Sequence, residues 1–165
     1  MKPLRLATLG LSGCSGCLMS LLDVDGWLAD LAARAEIVHG ALVDVKRWPA
    51  DIDVCLVEGA VGNVGDLEQL QSARRASRLL VACGDCAVTG NVPALRNGCP
   101  LGSVAGSRSE KGPLPALLPC VRPLHACVNV DRFLPGCPPS PQQYRYLLAP
   151  LLGLPLPAAP TARFG

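Results

Sequence analysis

Nine cysteines in a chain of 165 residues set the chemistry this sequence can do. Two of them sit in Gly13-Cys14-Ser15-Gly16-Cys17, directly after an apolar run. Thiols three residues apart in a glycine-permitted turn can point at one metal centre, and a helix starting there would favour their anionic form. Alone, such a C-x-x-C pair is open between zinc, an iron–sulfur cluster and a redox dithiol. A second run, Cys83-Gly84-Asp85-Cys86, divides its cysteines. Cys83 still belongs to the preceding apolar stretch, while Cys86 lies past Gly84 in a loop. The third run is Leu134-Pro135-Gly136-Cys137-Pro138-Pro139. Prolines stiffen the backbone around Cys137, so its thiolate can approach a cluster at low entropic cost. Ferredoxin-type ligation also often places proline just after a ligand cysteine. Cys14, Cys17, Cys86 and Cys137 together supply four thiolates from three loops, a complete all-cysteine ligand set.

The other cysteines read differently. Cys55 lies inside an apolar run and Cys83 ends one, and a buried free cysteine behaves as a small hydrophobe. Cys99, Cys120 and Cys127 show no paired motif, so a second site on Cys120 and Cys127 has no support. Half of the chain is hydrophobic, enough for a core without disulfide staples. Met1-Lys2-Pro3-Leu4-Arg5 leads into an apolar run broken at Gly10 and followed by cysteines, not by a small-residue cleavage site. A first strand is therefore expected rather than a signal peptide. The expected location is cytoplasmic, where a reducing milieu favours metal ligation or plain burial of cysteine.

The elements that must position these loops follow from the apolar pattern. Leu4–Leu11, Ile37–Val43, Val54–Val57 and Leu79–Cys83 are nearly continuous apolar runs, which suits strands of a parallel sheet covered on both faces. Ser20–Ala35 carries Leu21, Leu28 and Leu31 at helical spacing, with Trp27 beside them. Asp66–Ser77 reads as a surface crossover helix whose Arg74 and Arg75, with Arg78 just beyond, form a solvated face. The alternation predicts an α/β, flavodoxin-like three-layer domain over residues 1–153, with right-handed crossovers. In an open parallel sheet ligands gather beyond the carboxyl ends of the strands, which places Cys14, Cys17 and Cys86 on one rim. Asn97–Pro119 is rich in glycine, proline and serine and reads as a long loop; Cys120–Val130 reads as a last strand. Ser140-Pro141 has the cap and first-turn chemistry of a helix running through Tyr144 and Leu148 until Pro150. Residues 154–165 form a proline-rich tail, expected to pack on a partner or stay mobile.

A formal net charge of +2 and 4% aromatic residues exclude a nucleic-acid stripe with stacking platforms. No apolar run is long enough to span a bilayer. Phosphate-binding G-x-x-x-x-G-K-[ST], dinucleotide G-x-G-x-x-G and zinc-protease H-E-x-x-H patterns are missing, so any nicotinamide site belongs to another subunit. Glu58, ending the third strand, is either a solvated carboxylate or helix cap, or a carboxylate near a proton route or subunit interface. Asp85 reads as a residue that hydrogen-bonds its own loop. His39, His125, Trp27 and Trp48 read as structural.

Four motifs in order carry a resemblance to a known family. G-C-S-G-C at 13–17, V-E-G-A at 57–60, G-D-C-A-V-T-G-N-V-P at 84–93 and L-P-G-C-P-P at 134–139 resemble the small subunits of nickel–iron hydrogenases, most nearly the soluble, bidirectional NAD-reducing type. The resemblance implies a flavodoxin-like domain holding one [4Fe–4S] cluster through Cys14, Cys17, Cys86 and Cys137. It implies an electron-transfer subunit of an oxidoreductase, set between the nickel–iron site of a large subunit and iron–sulfur/flavin diaphorase subunits that handle NAD. An FMN near the cluster is compatible with the fold, although fold alone does not license it. Twin-arginine-exported relatives carry a further domain with two more clusters, which is not seen here, and the loop after Asn97 is short for the family. The related complex I subunit, which passes electrons to quinone, has two adjacent cysteines in the first motif, unlike Cys14-Ser15-Gly16-Cys17. The rival readings are that quinone-linked iron–sulfur subunit and a structural zinc scaffold using the same thiolates.

Overall fold

The computed structural model describes residues 2–41, 43–45, 47–105 and 115–160. Seven strands and seven α-helices are assigned among them. The strands are β1 (Leu4–Gly10), β2 (Ala35–His39), β3 (Ile52–Glu58), β4 (Val61–Asn63), β5 (Ser77–Cys83), β6 (Leu117–Arg122) and β7 (Arg132–Leu134). The helices are α1 (Gly16–Leu22), α2 (Trp27–Arg34), α3 (Val64–Ala76), α4 (Gly84–Thr89), α5 (Asn91–Ala94), α6 (Leu101–Ala105) and α7 (Pro141–Leu148).

Five strands form one sheet in the order β2-β1-β3-β5-β7, and every neighbouring pair is parallel. This is the doubly wound order of flavodoxin-like folds, in which the strand order reverses between β1 and β3. The expected α/β, flavodoxin-like sheet is therefore present. Strand alternation gives each face its own core. Leu6, Val54, Leu56, Val81, Cys83 and Leu134 pack against Leu21, Trp27, Leu31, Tyr144 and Leu148 from α1, α2 and α7. Ala7, Cys55, Val57, Leu80 and Ala82 pack against Leu70 and Ala73 of α3 and Ala87 of α4. Burial on both faces explains why β3 and β5 read as unbroken apolar runs.

The structure departs from the sequence reading in five places. The helix expected over Ser20–Ala35 is two, α1 and α2, broken where Asp25 adopts a left-handed φ of 52° just before Gly26. Trp27 and Leu31 face the core, whereas Leu28 is exposed. The second strand stops at His39, short of Val43, and Leu42 lies outside the described residues. Cys120–Val130 is not a strand of the main sheet. Its first residues close β6, which pairs antiparallel with β4, and a short 3₁₀ turn at Leu124–Ala126 follows. The last parallel strand is instead β7, anchored by Asp131, which accepts from the Leu80 N–H and pairs with Arg74. Arg74 is thus a tie between α3 and β7 and no solvated face. The loop expected over 97–119 contains the end of a 3₁₀ turn and α6, and residues 106–114 of it lie outside those described.

α7 forms as its cap chemistry demands. Ser140 accepts from the Gln143 N–H, the Gln143 side chain accepts from the Ser140 N–H, and Pro141 opens the first turn. Trp48 stacks on His39 at 3.9 Å between ring centroids and donates to Gln69. Cys55 and Cys83 are fully buried, as core residues are.

Candidate functional site

Gly10, Glu58, Cys83 and Leu134 end four adjacent parallel strands, and the register sets Gly10 beside Glu58, Glu58 beside Cys83 and Cys83 beside Leu134. Each residue but Glu58 is followed within four positions by one of the cysteines singled out above: Cys14 after Gly10, Cys86 after Cys83, Cys137 after Leu134. The sheet therefore delivers the three cysteine loops to one rim.

Those loops touch. Gly84 adopts a φ of +83°, and a Cβ there would stand 2.2 Å from Cys17 Sγ and 3.4 Å from the Gly136 carbonyl oxygen. Only glycine lets the second loop pass between the first and the third. Gly16 gives similar room, since a Cβ on it would lie 3.2 Å from Cys14 Sγ. Asp85 then joins the second loop to the third. Its N–H donates to the Gly136 carbonyl at 2.9 Å, and its Oδ1 accepts from the Gly136 N–H at 2.8 Å. The expectation that Asp85 bonds only its own loop is overturned. Ser20 of α1 donates to the Pro139 carbonyl, linking the first cysteine loop to the third.

Cys14 and Cys137 are exposed, and Cys17 and Cys86 are half-buried. Burial is the main cause raising the Cys86 thiol, followed by the neighbouring Cys137 and Cys14 sulfurs. Burial also pushes Cys17 up to about 12, helped by the Glu58 carboxylate and by Cys86 and Cys14. Cys17 thus feels Cys86 and Cys14, and Cys86 feels Cys137 and Cys14. No three His, Cys, Asp or Glu side chains among the described residues form a ready-made site for a metal ion.

Glu58 corrects an expectation about the first loop. The helix start after Cys14 was expected to stabilise thiolate, but the Cys17 and Leu18 N–H groups both donate to Glu58 Oε2, at 3.1 and 3.2 Å. The carboxylate uses the free donors that begin every helix, and Cys17 is raised instead of lowered. Glu58 is 2% exposed, which removes the solvated-carboxylate reading; it caps α1 from a neighbouring strand. Tyr144, fully buried on α7, donates its hydroxyl to the Cys17 carbonyl at 2.9 Å. Cys83 is fully buried and its thiol points to the Val81 carbonyl, so it belongs to the packed layer beneath the rim. Sequence reasoning missed Tyr144 as a site residue; the helix cap that places it was visible, its reach to Cys17 was not.

Cys99 and Cys120 are exposed and Cys127 is half-buried. A cleft of about 790 Å³ lies at the opposite end of the sheet, among Lys2, Asp30, Arg34, Asp51 and Arg78. No helix among the described residues is long and apolar enough to cross a membrane.

Residues 14–151 match the profile of the family described as NADH ubiquinone oxidoreductase, 20 kDa subunit. The chain is 34% identical over 152 residues to the NAD-reducing hydrogenase HoxS subunit delta of Cupriavidus necator, covering 83% of this chain and 73% of that one. It is also 34% identical to the sulfhydrogenase 2 subunit delta of Pyrococcus furiosus, over 82% of this chain but 56% of the relative. A chain in the crystal structure of an NAD+-reducing [NiFe]-hydrogenase in the H2-reduced state superposes with a TM-score of 0.86 at 37% identity, covering 99% of this chain and 100% of that one.

Proposed function

The chain belongs to the NADH ubiquinone oxidoreductase 20 kDa subunit family, as a hydrogenase small subunit, and from that premise we propose that it is an electron relay. In this reading it holds one [4Fe–4S] cluster between a nickel–iron large subunit and a diaphorase-type iron–sulfur/flavin module that handles NAD. The observation that carries it is the meeting of three cysteine loops around Gly84, at the carboxyl rim of the sheet.

The donor set fits the group. Burial, with the neighbouring sulfurs, raises the Cys17 and Cys86 thiols, and a cationic iron–sulfur core at this rim would let the cysteines bind as thiolates. Cys14 and Cys17 would hold it from the first loop, Cys86 from the second and Cys137 from the third. When bound, such a cluster supplies one-electron transfer at a potential set by burial and by hydrogen bonds to its sulfurs.

The chain's own contribution is positional. Glu58 fixes the first turn of α1, and with it Cys17, by accepting two backbone N–H bonds. As a buried carboxylate beside Cys17 it also stands where a proton route or a subunit interface would meet the rim. Tyr144 fixes the Cys17 carbonyl from below. Gly84 and Gly16 keep Cβ atoms away from the sulfurs. Residues 1–153 are assigned to the cluster domain and 154–165 to a tail that meets a partner, and the cytoplasm is the compartment that suits oxygen-sensitive chemistry. FMN has no part in this reading.

Separate Cys86→Ser and Cys83→Ser variants of the heteromeric complex test the assignment. Cys86→Ser is expected to lose the cluster's electron paramagnetic resonance signal, while Cys83→Ser keeps it with some loss of stability. Equal loss in both, or loss in the Cys83 variant alone, would reverse the choice of ligand.

A further inference from the structure

Cys86 and Cys137 are each the immediate neighbour of one member of a reciprocal pair, Asp85 and Gly136. The pair is not a helix cap in the usual sense. Asp85 stands in the first turn of α4, yet its carboxylate reaches a glycine 51 residues further along the chain. The two strands that bring the loops together, β5 and β7, are adjacent and parallel, and β7 is only three residues long. Parallel pairing over so short a stretch leaves the following loop weakly specified. Gly136 cannot be held by side-chain packing, because it has no side chain. Its φ of +135° and the 2.7 Å that a Cβ would leave to Pro139 Cα forbid one.

We propose that Asp85 is a positioning residue for the cluster, a two-bond tie to Gly136 that sets the spacing of Cys86 and Cys137 before iron arrives. The proposal rests on the ligand reading given above. One bond of the tie is backbone to backbone and survives every substitution at position 85 except proline. The other, Gly136 N–H to the Asp85 Oδ1, depends on the side chain at position 85 alone. Losing it leaves the Cys137 segment on that single backbone bond, while Ser20 on the Pro139 carbonyl and Gln143 on the Pro135 carbonyl hold the loop elsewhere. Those contacts fix the ends of the loop and not the Cys137 segment between them. The tie therefore acts as an outer-sphere support of the kind whose loss typically weakens metal retention by roughly ten- to hundredfold.

The test uses the complete heteromeric complex, purified anaerobically. Cys86→Ser first identifies which component of the reduced paramagnetic spectrum arises from this chain. Iron release to a ferrous chelator and the decay of that component are then followed in Asp85→Ala and Asp85→Asn. Asn keeps an Oδ1 that can accept the Gly136 N–H but removes the charge; Ala removes both. The expected result is release roughly ten- to hundredfold faster in Asp85→Ala and near the original rate in Asp85→Asn. Rescue by Asn separates a tie from a charge effect, and a shift of the spectral component in Ala but not Asn separates it from general loss of stability. Equal retention in both variants, or equal loss in both, overturns the proposal. If Asp85→Ala yields no complex, Asp85→Ser takes its place, its hydroxyl falling one bond short of the N–H. A Cys86→Ser variant that removes no component overturns the ligand reading itself, and with it the tie.

Discussion

Glu58 and Tyr144 grip the same short segment from opposite sides, and the grip fixes where Cys17 stands. Two backbone N–H groups of α1 end on a carboxylate that is 2% exposed, and the Cys17 carbonyl ends on the Tyr144 hydroxyl. A buried acceptor that loses its donor keeps the desolvation penalty, about 1–3 kcal/mol. Tyr144→Phe is therefore expected to lower unfolding free energy by about 1–2 kcal/mol in denaturant titration. Glu58→Ala, which strands two N–H groups and opens a cavity, is expected to cost more, about 3 kcal/mol. A Tyr144→Phe protein as stable as the original would show that water replaces the hydroxyl. The sequence displayed the cysteines of this site because Cys14, Cys17 and Cys86 follow apolar runs and Cys137 is flanked by prolines. It could not display their supports. Glu58 lies 41 residues from Cys17 and Tyr144 lies 127 away, and no local pattern encodes contacts of that range.

At the scale of elements, the weakest strand is held by a side-chain bridge. β7 has three residues, two of them exposed; the Asp131 carboxylate before it accepts from the Leu80 N–H and from Arg74. Burial alone would raise the Asp131 carboxyl, but that N–H and the guanidinium outweigh it and hold it below the ordinary range. A carboxyl depressed in the folded state stabilises the protein above its unfolded pKa, near 3.9, and that contribution fades as the pH falls toward the lower folded value. Asp131→Asn is thus expected to cost about 1–2 kcal/mol at neutral pH and progressively less below pH 4, measured as unfolding free energy against pH. An unchanged difference down to pH 2 would contradict the assignment. This bridge also explains why the last strand was not legible. Arg132 and Phe133 carry no apolar periodicity, while Cys120–Val130 does, although Pro123 ends its pairing and β6 joins β4 instead. β1, β3 and β5 were legible because burial on both faces forces unbroken apolar runs. The single helix expected over 20–35 was broken by Asp25 and Gly26, a local signal that the leucine spacing outweighed.

For the whole molecule, the rim that carries the cysteines also carries large apolar side chains in water. Met19, Val92 and Leu95 are 58%, 64% and 74% exposed. They stand on α1, on α5 and just after it, in the segments that follow the first and second cysteine loops. Exposed apolar side chains in the segments that follow two cysteine loops are what a chain that seals its cluster against a partner would present. Leu95→Glu is expected to reduce co-purification of the large subunit severalfold while leaving the thermal unfolding of this chain within a degree or two. Normal co-purification would place the interface elsewhere.

The proposed function stands on an iron–sulfur cluster held by this chain within a hydrogenase. Metal and acid-labile sulfide are to be measured in the anaerobically purified complex, with this chain resolved from its partners. About four iron and four sulfide are expected in this chain, with nickel in the larger partner. Zinc without sulfide in this chain, or iron and sulfide with no nickel anywhere in the complex, would contradict it.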